Sequence, residues 1–434
     1  MADVNSKESS WVNLLNNLNQ EQKRLLLGTS YLAVNQPLPM ELIKRLISLE
    51  NEDDWVKLIN ELTGSELISY SDQNYYLGAE AVSFLQKQIQ KFEEEEILTD
   101  ISRLIYDLTK NMTSADEFEP YAGHIEVLSQ KGQVKKIATA GLLYGLLGRY
   151  KLKLGDEIEA VKFIKRSLLI VEKVSGVESV EHTENINNLG SALHRMGLYE
   201  DAKKCFEQAI IIDKRILGKK DPAVAVGHNN LGQVLLDMHN IEGAIIHLEK
   251  ALEINTENFG KDSIQVAASN YNLGMALVSV GDIPRARAQL ELSLLKRKKF
   301  LEPDHAEIAD SHHGLGMLTQ ALGDQETAIN HYQEAIRIFE LQGDKFSAKL
   351  AASYTNLGGI YHFNKDFEKA MDLYQKAIQL FTAVFSEDDK NVRELKLQMG
   401  LIEVGMTMPD LLEKLEKGEQ LPAKVQALLD GSFQ

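Results

Sequence analysis

The sequence predicts an all-α chain, a solenoid of about six to seven stacked helix pairs behind a small domain that also holds a short hairpin. Three observations carry this. The stretch Asn187-Asn188-Leu189-Gly190 returns as Asn229-Asn230-Leu231-Gly232, Tyr271-Asn272-Leu273-Gly274, His313-Gly314-Leu315-Gly316 and Thr355-Asn356-Leu357-Gly358, each glycine 42 residues after the last. Leu147-Gly148 and Met399-Gly400 hold the same phase on either side. A fixed period of this length marks one supersecondary unit repeated along the chain.

The second observation is the helical period inside a unit. Ile186, Leu189, Leu193 and Met196 fall on one stripe. Gly197-Leu198-Tyr199 breaks it, and a second helix carries Ala202, Cys205, Phe206, Ala209 and Ile210. The third is a set of fixed offsets from the glycine. Twelve residues on stands alanine (160, 202, 244, 286, 328, 370), and sixteen on stands a large apolar residue: Ile164, Phe206, Leu248, Leu290, Tyr332, Tyr374. Nineteen on comes a small residue again: Ser167, Ala209, Ala251, Ser293, Ala335, Ala377. A mid-helix glycine costs about 1 kcal/mol relative to alanine. Its return at one phase implies that a facing helix needs the space.

These offsets resemble the tetratricopeptide repeat. The 42-residue period, the Asn-Asn-Leu first helix and the connector Gly218-Lys219-Lys220-Asp221-Pro222 resemble the kinesin-light-chain type, over residues 134–405. Two departures stand out. The usual first-helix tryptophan is replaced by Ile186, His228, Asn270, His312 and Tyr354, and the usual proline after the second helix is missing. The resemblance implies a right-handed superhelix whose first helices line a concave groove. With the glycine as position 8, the inward positions hold Asn187, Asn188 and Arg195, then Asn229, Asn230 and Gln233. Tyr271, Asn272 and Met275 follow, then His313, Met317 and Gln320, then Asn356 and His362. Asparagine is a poor mid-helix residue because its side chain competes for backbone hydrogen bonds. Its return has two readings: amides that hold the backbone of an extended peptide, or amides that tie one repeat to the next. Arg195 is the cation expected in the groove.

Residues 1–10 are polar and expected as a flexible tail. Residues 11–92 read as helices at Gln20–Val34, Met40–Leu49 and Trp55–Leu62, the last capped by Asp53 or Asp54. Leu67-Ile68-Ser69-Tyr70 and Tyr75-Tyr76-Leu77 then form a hairpin around Ser71-Asp72-Gln73-Asn74, and a helix follows from Ala79. This order resembles the winged-helix domain that precedes repeats in signal-transduction ATPases of the STAND class. Residues 93–133 are expected as linking and capping helices, one of them starting at Pro120, and 406–434 as C-terminal capping helices.

Charge and composition limit the function. The net charge of −17 disfavours nucleic acid and an anionic membrane surface. Between Trp11 and Glu95 there are 7 Lys or Arg against 13 Asp or Glu, so the winged-helix-like region is acidic too. The single cysteine, Cys205, suits a reducing compartment. No secretory signal pattern and no apolar run of membrane-spanning length is present, so a cytoplasmic protein is expected. The phosphate-cradling Gly-x-x-x-x-Gly-Lys-Ser/Thr motif is absent; Phe259-Gly260-Lys261-Asp262-Ser263 is its only look-alike and falls on a repeat connector. Zinc-protease and serine-hydrolase motifs are absent, and the adjacent His312 and His313 point about 100° apart on a helix. The expectation is a non-enzymatic adaptor without cofactor or metal, binding a protein or peptide partner. The alternatives are a sensor subunit related to STAND proteins but without its own NTPase, and self-association through a solenoid end.

Overall fold

A computed structural model describes residues 2–34, 36–47, 52–71, 74–89, 94–112, 114–387, 389–405 and 408–429. The chain divides into two compact units, 1–230 and 231–434.

In the first unit, α1 (Ala2–Asn17) and α2 (Gln20–Gly28) lead through a 3-10 turn to β1 (Pro37–Leu38), α3 (Met40–Ile47) and α4 (Glu52–Gly64). Then come β2 (Ser69–Ser71), β3 (Asn74–Tyr76) and α5 (Ala79–Gln88). Four expectations change here. Residues 2–10 belong to α1, whose Trp11 is buried and donates its indole N–H to the Ser65 carbonyl at 2.6 Å. The first expected helix stops as such at Gly28. The hairpin of β2 and β3 is present, with residues 72–73 of its turn outside the described residues, but Pro37–Leu38 adds a third strand in the order β1-β3-β2. Proline is tolerated there because β1 is an edge strand. Helix α4 starts at Glu52, so Asp53 and Asp54 lie inside its first turn rather than at a cap.

Next are α6 (Glu94–Thr109) and α7 (Ala115–Val134). Ser114 and Glu117 form a reciprocal capping box that starts α7 ahead of Pro120, which sits inside the helix. One apolar cluster runs from Trp11 to Phe163, so the N-terminal helices share a core with α8 (Thr139–Leu154) and α9 (Glu157–Val174). His124 is buried in this unit and clamps it, receiving the Ala33 N–H at 3.1 Å and facing the Pro37 carbonyl at 2.9 Å. The unit continues with α10 (Val180–Arg195), α11 (Tyr199–Ile216) and the start of α12 (Pro222–Asp237).

The second unit takes the rest of α12, then the helix pairs α13 (Ile241–Phe259), α14 (Ile264–Ser279), α15 (Ile283–Phe300), α16 (Ala306–Ala321), α17 (Gln325–Leu341), α18 (Ser347–Phe363) and α19 (Phe367–Val384). Helix α20 (Lys390–Glu403) is covered by α21 (Met408–Glu416) and α22 (Ala423–Leu429), with Leu401, Leu411, Leu421 and Val425 buried between them.

The repeated small residues do what their phase predicted. A Cβ on Gly190 would lie 2.8 Å from the Phe206 ring, one on Gly274 2.8 Å from Leu290, and one on Gly316 2.7 Å from Tyr332. Each clash is with the residue sixteen on. The alanines at the twelve and nineteen offsets are fully buried. Glycine and alanine therefore let paired helices touch backbone to side chain, and the large residue fills the notch. The elbow between the two helices recurs as well. Seven residues after the repeated glycine the chain turns left-handed, at Gly155, Gly197, Gly281 and Gly323, but also at His239 (φ 59°) and Lys365 (φ 60°).

Successive pairs in the second unit meet at the residue twenty-three after the glycine, and its chemistry changes each time. Asn255 donates to Ser269 Oγ at 2.8 Å. Arg297, 4% exposed, donates to Ser311 Oγ at 2.9 Å and the Glu307 carbonyl at 2.7 Å. Phe339 stacks on Phe346 with centroids 6.0 Å apart.

Candidate functional site

Five first helices of the pairs, α10, α12, α14, α16 and α18, carry the expected groove residues. In the first unit Asn187, Asn188, Asn229 and Asn230 are half-buried on α10 and α12. The side-chain oxygens of Asn187 and Asn229 are screened from solvent and have no donor among the described residues. Arg195 differs from expectation. Its guanidinium donates to the Leu152 carbonyl at 2.6 Å and faces Glu157 at 3.8 Å, which ties α10 to the preceding pair.

In the second unit the amides follow the structural reading in two places. Gln233 donates to Asn272 Oδ1 at 3.4 Å, and Asn356 donates to His313 Nε2 at 3.4 Å, each link joining neighbouring repeats. His313 Nδ1 lies 2.8 Å from Ser353 Oγ. Burial holds the His313 pKa down, to about 4, with Asp310 opposing and Lys349 adding. Tyr271 lies under the Arg297 guanidinium, 4.7 Å from ring centroid to Cζ, and Gly314 leaves the space that Tyr271 and Met275 occupy. Met275 and Met317 are half-buried against the core. Gln320 is exposed and accepts from the Tyr332 hydroxyl at 2.8 Å. His362 is 3% exposed and edge-on to Phe367 and Tyr374, and its ring also lines the hollow beside Gln320 and Asn356. Beside Gln320, Thr355 and Asn356 lies an open recess of about 310 Å³, walled by Phe363 and Glu394.

The missing tryptophan has a structural answer. In two repeats of the second unit its phase carries a polar residue that pairs with the second helix nineteen residues on. Asn270 donates to Gln289, and His312 Nδ1 lies 2.9 Å from His331 Nδ1. Burial first, then Lys298 and His331, hold the His312 pKa down, to about 4.

Sequence reasoning also missed a polar recess of about 150 Å³ in the first unit, between α6, α8 and α10. Tyr106, Arg149, Glu181, Glu184 and Asn185 line it, with Asn188 the one expected residue on its wall. Partial loss of hydration pushes the Glu184 carboxyl up, with Arg149 opposing and Glu181 and Asp213 adding. The available signal was Gly145, a glycine at the phase where later repeats carry Asn187, Asn229, Tyr271, His313 and Thr355. Phe259–Ser263 is a helix connector: Gly260 ends α13 and Ser263 caps α14. Among the described residues, no helix is long and apolar enough to cross a membrane.

Helix pairs that nest on a glycine returning at a fixed period define a helical-repeat solenoid protein. Models of the tetratricopeptide repeat match residues 182–257, 224–294, 265–340 and 351–382, and the chain carries tetratricopeptide repeats over that stretch. No curated protein matches it. Among solved structures it is similar to a Signal Transduction ATPase with Numerous Domains (STAND) protein with a tetratricopeptide repeat sensor from Pyrococcus horikoshii. The identity is 19% and the TM-score 0.59, over 94% of this chain and 57% of that one. It is also similar to BtubC (BKLC) from P. vanneervenii, at 21% identity and TM-score 0.44, over 53% of this chain and 91% of that one. RapI in its apo form matches at 15% identity and TM-score 0.50, over 67% of this chain and 98% of that one.

Proposed function

We propose that this tetratricopeptide-repeat chain is a cytoplasmic adaptor that holds an extended peptide segment of a partner protein on the first-helix faces of its repeats. The observation that carries the reading is the pair of unmet acceptors, Asn187 Oδ1 and Asn229 Oδ1. A polar atom kept from water without a donor costs about 1–3 kcal/mol. A small turn of the carboxamide brings each oxygen to a peptide N–H, which every peptide offers whatever its side chains. Asn188, Asn230, Gln233 and Gln320 widen the polar track within their own units. Affinity is moderate, because a flexible peptide loses entropy on binding. The test is to map a captured partner to a short segment and titrate the synthetic segment calorimetrically. Asn187→Ala and Asn229→Ala weaken binding; if neither does, the groove assignment fails.

A second reading is favoured by the STAND comparison, which spans the N-terminal helices and the repeats together. In it the repeats sense a ligand and the N-terminal region, read as a winged helix with an acidic face, docks on a separate ATPase. A nucleotidase that co-purifies with the chain and dissociates on deletion of α3 and α4 supports it; a chain that retains no such enzyme opposes it.

A further inference from the structure

The recess between α6, α8 and α10 differs from the rest of the first-helix face in three ways. It is built around an omission. Gly145 stands where later repeats carry a side chain, and a Cβ there would lie 2.8 Å from Asn185 Oδ1 and 3.2 Å from Ser167 Oγ. Asn185 itself is 5% exposed and fixed by its own N–H donation to the Glu181 carbonyl at 2.7 Å. The recess is small. At about 150 Å³ it has the size of an engineered cavity that admits a single benzene. It accepts one side-chain head and not a folded ligand. Its charges are unevenly committed. Lys110 is paired with Asp107 at 2.6 Å, and Arg149 donates to the Lys110 carbonyl at 2.6 Å. Arg149 stands on the same wall and its charge acts on Glu184, while Glu181 and Glu184, one helical turn apart on α10, make no salt bridge among the described residues and outnumber it.

We propose that this recess receives the cationic head of one lysine or arginine side chain from a peptide lying on the first-helix face, with Glu181 and Glu184 as its counter-charges. The proposal rests on the peptide-binding reading and adds a residue class to it. Asn185 and Asn188 supply oxygens that fit the remaining N–H donors of an ammonium or guanidinium. The Tyr106 ring, with Lys110 Nζ already 5.7 Å from its centroid, forms another wall. Partial loss of hydration pushes the Glu184 carboxyl up, with Arg149 opposing and Glu181 and Asp213 adding, and an entering cation favours its charged form. An acidic side chain in the same place meets two carboxylates against Arg149, so the recess favours a positive head.

The experiment selects peptides from a random displayed library on the full chain and measures the recovered peptides by fluorescence anisotropy. Each peptide is remade with every Lys or Arg changed singly to Gln, and tested against the wild type, Glu181→Gln and Glu184→Gln. The glutamines keep shape and remove charge, and circular dichroism checks that each variant is folded. The expected result is one shared basic residue whose loss weakens binding about tenfold. Glu184→Gln then weakens the basic peptides by a similar factor and leaves their Gln versions unchanged. Peptides that bind without a shared basic residue, or that bind Glu184→Gln as well as wild type, overturn the recess assignment and leave the groove standing. A library that yields no binder overturns both.

Discussion

Adding one methyl group at Gly190 separates helix propensity from nesting. Alanine is a better helix former than glycine by about 1 kcal/mol, so propensity alone makes Gly190→Ala stabilising. The new Cβ, however, lies 2.8 Å from Phe206 Cε1 and 2.9 Å from Cζ, with Phe206 itself 1% exposed and held on all sides. Overpacking of this kind costs about 1–3 kcal/mol, and the net expectation is a loss of about 1 kcal/mol. Gly359→Ala is the matched control. It lies in α18, and its Cβ would meet nothing nearer than Tyr374 Oη at 3.9 Å. There the propensity gain survives, and the chain becomes more stable by about 1 kcal/mol. The two variants are chemically identical and differ in predicted sign. Urea unfolding followed by circular dichroism measures both. Because repeat arrays unfold in stages, amide exchange in α10 and α11 locates the Gly190→Ala loss. Changing Phe206 to Leu in the Gly190→Ala chain returns part of it. Equal stabilisation by the two alanines would refute the nesting argument.

The remaining predictions concern the elbows, the histidines and a junction. His239→Gly and Lys365→Gly relieve left-handed strain at the elbows, and each stabilises by about 0.5–1 kcal/mol in the same unfolding assay. The folded pKa values of His312 and His313, about 4, lie below the ordinary 6.5, so the unfolded chain takes up protons first. Stability is complete above pH 6.5 and falls as pH drops from there towards 4, by at most about 3 kcal/mol per histidine. Lys298, His331, Glu334 and Arg337 face His312 and modulate its share. Borrowing the neighbouring amide pair through His312→Asn with His331→Gln flattens that part of the pH profile, as urea midpoints across pH will show. Arg297→Ala removes the buried donor to the Ser311 hydroxyl and the Glu307 carbonyl together with the Glu307 ion pair, and costs about 2–3 kcal/mol, read from the urea midpoint.

Much of the repeat was legible because its signals are steric and periodic. Gly190 and Phe206 are sixteen residues apart wherever the motif returns, and a volume rule can be read from one chain. The elbow was legible for the same reason. Polar commitments were not. Arg195 has the right phase for a groove, but the Leu152 carbonyl that holds it is supplied by another repeat and carries no sequence mark. His362 has an inward phase too, yet Phe367 and Tyr374 close over it. At the N-terminus, helix α1 is polar over its first turns, and its place in the fold depends on Trp11 reaching Ser65. The strand at Pro37 forms because β3 offers it an edge, which local propensity does not report. The recess at Gly145 could have been noticed as a missing side chain, but the carboxylates around it come from spacing that any solvated helix could show.

The changing partner at each junction of the second unit also bears on how such a chain can grow. An asparagine that meets a serine, an arginine that meets a serine and a glutamate, and a phenylalanine that meets a phenylalanine act as keyed couplings. Moving one pair along the row would leave a guanidinium without the hydroxyl and carbonyl that take its N–H groups, or a hydroxyl facing oil. The modules therefore have a fixed order of assembly, and extending the row by copying one of them demands a matched edit in its new neighbour.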